Sequence, residues 1–264
     1  MRIVHGATDL AYWNMAGPFG GWIASQLLGR VLEDPEHLGD PVATSTSFVG
    51  AIAEGPFTIG LRRLRTNRST DFWWAELRQE QAGVDQVCAY ATVALARRPV
   101  TTTYVDEPMP QTIPPEDVPE RRAPMQLRWF DLFELRIAEG LPFAGGDGSA
   151  RSLTWTRKRG HALDALALTE ICDSAVPRIF YRTRHPIPVA TVTMNVFFHA
   201  TASEIAEAGS DYVLCDARWH GANDGYFDEQ QMIWSRTGRL LATTDQLVWY
   251  REPGETSEGA ETRR

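Results

Sequence analysis

Residues 162–174, ALDALALTEICDS, and residues 189–198, VATVTMNVFF, place a helical period just ahead of a strand-like run. In the first stretch Leu163, Leu166, Ala167, Leu168 and Ile171 fall at helical spacing. Three more strand-like segments follow: Tyr212 to His220, Tyr226 to Ser235 and Leu240 to Tyr250. The same order occurs earlier in the chain. Gly20 to Leu32 carries Ile23, Leu27, Leu28, Val31 and Leu32 at helical spacing, and strands are expected over Ala43 to Val49, Phe57 to Arg65, Phe72 to Gln81 and Val84 to Ala96. Ala82-Gly83 and Thr237-Gly238 supply tight-turn signals between the last two strands of each half. Ala43-Thr44-x-Thr46 echoes Ala190-Thr191-x-Thr193 about 147 residues later. One helix followed by four or more antiparallel strands, twice over, describes an α+β duplication.

The halves are expected over residues 1–98 and 150–252. Between them, 99–149 begins with a proline-rich run that reads as an extended connector and contains the loop Ala144-Gly145-Gly146-Asp147-Gly148-Ser149. Residues 253–264 are polar and are expected to be a disordered tail. A net charge of −8 over 264 residues argues against a nucleic-acid surface, which needs clustered Lys and Arg. A local basic patch has its obvious place at Arg157-Lys158-Arg159. No apolar stretch approaches the ~20 residues of a membrane helix, and the start MRIVHGATDLAYW lacks the layout of a secretory signal. A cytoplasmic protein is expected.

Familiar cofactor and nucleophile motifs are absent. There is no GxGxxG, GxxxxGK[ST] or GxSxG. The six His residues are scattered, and Cys88, Cys172 and Cys215 form no CxxC pair, so neither a metal nor a cofactor is expected. Asp228 and Glu229 are adjacent in a strand, point to opposite faces, and so cannot act together as a dyad.

Four patches resemble the acyl-CoA thioesterase II family. They are Phe19-Gly20-Gly21; Leu168-Thr169-Glu170-Ile171-Cys172-Asp173 with Pro177; Ala190-Thr191-Val192 ending in Phe197-Phe198-His199; and Leu240 to Gln246 closing on Arg251. The resemblance implies a double hot-dog, with two long helices each lying on a continuous curved antiparallel sheet. It also implies that Asp173, Thr191 and Gln246 hold the water that attacks a thioester. Two departures stand out: the family's Asp-His-Ser is here Thr193-Met194-Asn195, and the spacing from Asp173 to Thr191 is short.

These residue types suit the chemistry. A buried Asp173 gains basicity as a proton acceptor. Gln246 and Thr191 can each donate and accept, fixing one water. Gly20 and Gly21 let a substrate carbonyl approach backbone N–H groups at a helix start, and Arg157 is a candidate for a CoA phosphate. The expected partners are an acyl-CoA or acyl-carrier thioester and a second copy of the chain, because open sheet edges need cover. Two other readings compete: a non-catalytic acyl-thioester-binding protein, and a hydratase, for which no suitable Asp–His pair is visible.

Overall fold

The computed structural model describes residues 1–120, 127–145 and 149–252. The expected disordered tail, and Gly146 to Gly148 of the glycine loop, lie outside the described residues. The strands are β1 (Arg2–Ala7), β2 (Asp40–Phe48), β3 (Pro56–Thr66), β4 (Thr70–Gln81), β5 (Val84–Ala96), β6 (Phe133–Glu139), β7 (Ser152–Lys158), β8 (Val189–Phe198), β9 (Val213–Arg218), β10 (Ala222–Asn223), β11 (Tyr226–Ser235) and β12 (Leu240–Tyr250). Three α-helices accompany them: α1 (Gly20–Leu32), α2 (Ala165–Ile171) and α3 (Ala202–Ala206).

All twelve strands belong to one antiparallel sheet in the order β1-β3-β4-β5-β2-β8-β12-β11-β9-β7-β6, with β10 hydrogen-bonded to β11. Its centre is the β2–β8 pair, which runs from Ala43 opposite Phe197 to Ser47 opposite Thr193. Outward from this pair the order repeats: β5-β4-β3-β1 on one side, β12-β11-β9-β7 on the other, with β6 as an extra edge strand. The predicted turn at Ala82-Gly83 is present, both residues with positive φ, as a two-residue hairpin of this hand requires.

The expectation of two long helices does not hold. α1 has 13 residues, and α2 has seven rather than the span from 162 to 174. The Asp164 side chain caps the Ala167 N–H at 2.7 Å and so fixes the start at Ala165. At the far end the Asp173 and Ser174 N–H groups bond carbonyls three residues back, a tightened turn that ends the helix ahead of Pro177. α1 is a core helix, with Trp22, Ile23, Leu27, Leu28 and Val31 all buried.

Four strands were not anticipated, one of them the two-residue β10. β6 lies inside the stretch read as connector; its Phe133, Leu135 and Ile137 alternate with Glu134, Arg136 and Ala138, a period of two that follows closely on the proline-rich run. β7 contains Arg157 and Lys158 of the basic cluster. β1 closes the opposite edge against β3. The repeat is also offset from the one suggested by Ala43-Thr44 and Ala190-Thr191. The structure sets a β-bulge at Val42 in β2 and another at Val192 in β8, 150 residues apart.

Leu27 of α1 is fully buried in the main core. Leu27→Ala is expected to lower unfolding free energy by about 3 kcal/mol, measured as a reduced urea midpoint at unchanged slope.

Candidate active site

The bulge at Val192 decides where Thr191 points. Leu247 pairs with Thr193 and Val248 with Thr191, which leaves Val192 unpaired. Strict alternation would put Thr191 on the face of Thr193; the extra residue turns it to the opposite, helix-bearing face. There its Oγ1 donates to Gln246 Oε1 at 3.2 Å. Gln246 is buried on β12, and its Nε2 donates to the Cys172 carbonyl at 3.2 Å. Gln231 of β11 donates to the same carbonyl at 2.8 Å. Two amides thus hold the C-terminal end of α2, where a helix leaves carbonyls without partners.

That anchored end places Asp173 against the first turn of α1. The Gly21 N–H donates to Asp173 Oδ2 at 2.6 Å. A Cβ on Gly20 would sit 2.8 Å from Asp173 Oδ2, and one on Gly21 would sit 2.8 Å from the Glu170 carbonyl and 2.9 Å from the Asp173 Cβ. The two glycines are therefore needed to let the helix start meet the carboxylate. Burial, and then the nearby Glu229 carboxylate, push Asp173 up to about 7, against the lowering pull of the Gly21 N–H and Gln246.

A pocket of about 280 Å³ opens here, lined by Asp173, Thr191, Gln246 and Gly20 together with apolar groups such as Ile23 and Phe48. The structure thus gathers the three sequence-selected polar residues and Gly20 at one cavity, with Gly21 bonded to Asp173 from behind. It does not bring Arg157 there. Arg157 pairs with Glu134 at 2.7 Å and its guanidinium lies 4.4 Å over the Tyr212 ring. Lys158 is similarly engaged, with Glu170 at 2.5 Å.

Glu229 was missed. It is buried on β11, directly opposite Gln246 of β12, and lines the same pocket. Asp228 does face the other way, bonding His220, so the two acids split between faces as expected. The available signal was the alternation Phe227, Glu229, Gln231, Ile233, which puts two polar residues on a core-facing side. Among the described residues, no cluster of His, Cys, Asp and Glu forms a metal site, and no helix is long and apolar enough to cross a membrane.

One large antiparallel sheet packed on a buried helix is the layout of a hot-dog fold. Comparison with solved structures agrees. A protein of unknown function with a hot-dog fold from Alicyclobacillus acidocaldarius is 35% identical, with a TM-score of 0.90 over 96% of this chain and 94% of its own. An acyl-CoA thioesterase II, TesB2, from Mycobacterium marinum is 20% identical, with a TM-score of 0.72 over 96% and 94%. The tesB protein of Mycobacterium avium subs paratuberculosis is 18% identical, at 0.71 over 89% and 88%. A search of curated proteins gave no match. The acyl-CoA thioesterase N-terminal domain matches residues 10–96 and the acyl-CoA thioesterase C-terminal domain matches residues 110–250. The chain belongs to the acyl-CoA thioesterase family and is a thioester hydrolase.

The raised Asp173 has a consequence for stability. An unfolded Asp loses its proton near 4, whereas the folded one keeps it to about 7. Between these values folding takes up a proton, so this group's contribution declines as pH rises through that window. Asp173→Asn is expected to gain melting temperature relative to the wild type between pH 5 and pH 8, read by thermal scans of both proteins.

Proposed function

We propose that this chain hydrolyses acyl-CoA thioesters to a carboxylic acid and a free thiol at the pocket formed by Asp173, Thr191 and Gln246. The observation that carries this reading is the convergence of these side chains, from a helix end and two strands, on one cavity. Asp173 accepts the proton of a water that Thr191 and Gln246 orient toward the thioester carbonyl carbon. The resulting oxyanion lies at the N-terminal end of α1, where Gly20 lines the pocket and the helix dipole favours negative charge. Collapse of the tetrahedral intermediate breaks the carbon–sulfur bond, and the departing thiolate takes the proton from Asp173. With its carboxyl near 7, Asp173 is matched to this shuttle at neutral pH.

The mirrored strand order supports a double hot-dog architecture. One unit spans residues 1–98; the second, expected over 150–252, takes in β6 from the 99–149 segment as well. The exposed edges β1 and β6 support a homo-oligomer, most simply a dimer, and light scattering should report the mass of two chains rather than one. We place the enzyme in the cytoplasm, and we place the CoA phosphates away from Arg157, whose charge is already matched by Glu134.

Asp173→Asn is expected to lower kcat by about 10²–10⁴ with little change in KM. Thr191→Val and Gln246→Ala are expected to slow turnover too, and their double variant should lose less than the product of the singles, since both act on one water. Thiol release from acetyl- to palmitoyl-CoA is the assay. Full activity in Asp173→Asn rules out this mechanism, and retention of intact acyl-CoA by the wild type would support a binding protein instead.

A further inference from the structure

The proposed reaction uses one carboxylate, yet the pocket holds two. Glu229 is 4% exposed and faces the cavity from β11, side by side with Gln246. Gln231, which braces the Cys172 carbonyl just ahead of Asp173, also reaches Glu229 Oε1 at 3.4 Å. Behind Glu229 lies Arg178, fully buried, with its Nε 3.5 Å from Glu229 Oε2. Arg178 is itself held on protein oxygens: the Val176 carbonyl at 3.0 Å, the Ala150 carbonyl at 3.0 Å and the Ser152 hydroxyl at 2.8 Å. Its plane stacks on Tyr181 at 4.4 Å. A buried cation with this many fixed partners is part of the frame, and its one carboxylate partner among the described residues is Glu229.

We propose that Glu229 is a positioning residue of this hydrolytic site, a second buried carboxylate that keeps Asp173 basic, with Arg178 as the counter-charge that allows Glu229 to ionise there. The inference rests on Asp173 being the proton acceptor. Its physics is like-charge repulsion across a water-poor cavity. An ionised Glu229 makes the Asp173 carboxylate costlier and its protonated form easier to reach, which is what a base must do to accept a proton from water. The Arg178 charge beside Glu229 prevents this from failing. Without a cation, two buried carboxyls relieve the repulsion by both remaining protonated, and Asp173 would then be no base at neutral pH.

The charged groups around Glu229 are few. Asp173, in the turn after α2, lines the same cavity, Arg178 faces it from the turn Arg178–Tyr181, and Asp228 adjoins it on the outer face of β11. Gln231 and Gln246, from β11 and β12, are neutral. Burial raises Glu229 to about 7, with Arg178 pulling the other way and Asp228 adding to the rise; Asp173 stands at about the same value. Glu229 therefore adds to the rise of Asp173 across the cavity that both line.

The test is the pH profile of kcat/KM for thioester hydrolysis in Glu229→Gln, which keeps size and removes charge. The acid limb is expected to move to lower pH by about one pH unit, and the plateau rate to fall up to about ten-fold because Asp173 becomes a weaker base. Glu229→Asp, which restores the charge, should return the limb toward the wild-type position. A purely structural Glu229 would lower the rate without moving the limb. An unmoved limb in folded Glu229→Gln overturns the proposal, and so does loss of turnover at every pH, which would make Glu229 the base itself. The Asp173 carboxyl can also be followed without substrate, by ¹³C NMR titration of both proteins; a midpoint unchanged by Glu229→Gln overturns the proposal as well. Asp173→Asn separates the two levels. If that variant keeps full activity, the base assignment fails; if it loses turnover while Glu229→Gln leaves the limb in place, only the role of Glu229 fails.

Discussion

The hydrogen bond from the Gly21 N–H to the Asp173 carboxylate, 2.6 Å long, joins the beginning of one helix to the end of the other. It demands a helix–helix approach so close that no side chain fits at Gly20 or Gly21. Everything else in the pocket follows from that contact. The α2 end must be held still, which the Gln231 and Gln246 amides do at the Cys172 carbonyl. The sheet must present Thr191 inward, which the Val192 bulge does. Nearby, Glu170 ties α2 to Ser25 of α1 and to Lys158 of β7.

Buried charge around the pocket is divided by purpose. Glu134 is compensated fully: burial opposes its ionisation, but Tyr212, Arg136 and Arg157 together bring it down to about 2. That network fastens β6 and β7 to Tyr212, just ahead of β9, and uses up the basic residues that looked available for a phosphate. Asp173, in contrast, has a helix N-terminus and a glutamine but no cation, and its basicity survives. A fully paired carboxylate stabilises; a partly paired one retains chemistry.

The sequence made the β8, β11 and β12 spans legible to the residue, because aromatic and β-branched runs bounded by turn signals leave little freedom. Asp173, Thr191 and Gln246 were legible through local resemblance, since each sits in a patch of similar neighbours. Other features were not. The bulge at Val192 has no composition of its own, yet without it Thr191 faces away from the pocket. α2 was overestimated because apolar spacing extends beyond the cap at Asp164 and the tight turn at Asp173. Arg157 was assigned by charge alone, while its partner Glu134 lay in a strand hidden behind prolines. Glu229 was set aside as half of an improbable dyad with Asp228, and its real companion is 56 residues earlier in the chain.

The mirrored halves carry an internal reference for the chemistry. Matching the bulges sets Pro41 where the second half has Thr191, and Val93 where it has Gln246. Trp73, paired with Val93, fills the place of Glu229. Only an acid persists: Asp34 follows α1 as Asp173 follows α2, each with its N–H bonded three residues back. Burial opposes the ionisation of Asp34, but the Glu36 N–H and Arg2 outweigh it and hold its carboxyl below the usual range. Two acids placed alike, each just after its helix, therefore respond to acid in opposite senses. Asp34 strengthens the fold once it ionises, whereas Asp173 strains it. One of these acids fastens the fold, and the other keeps its charge in reserve.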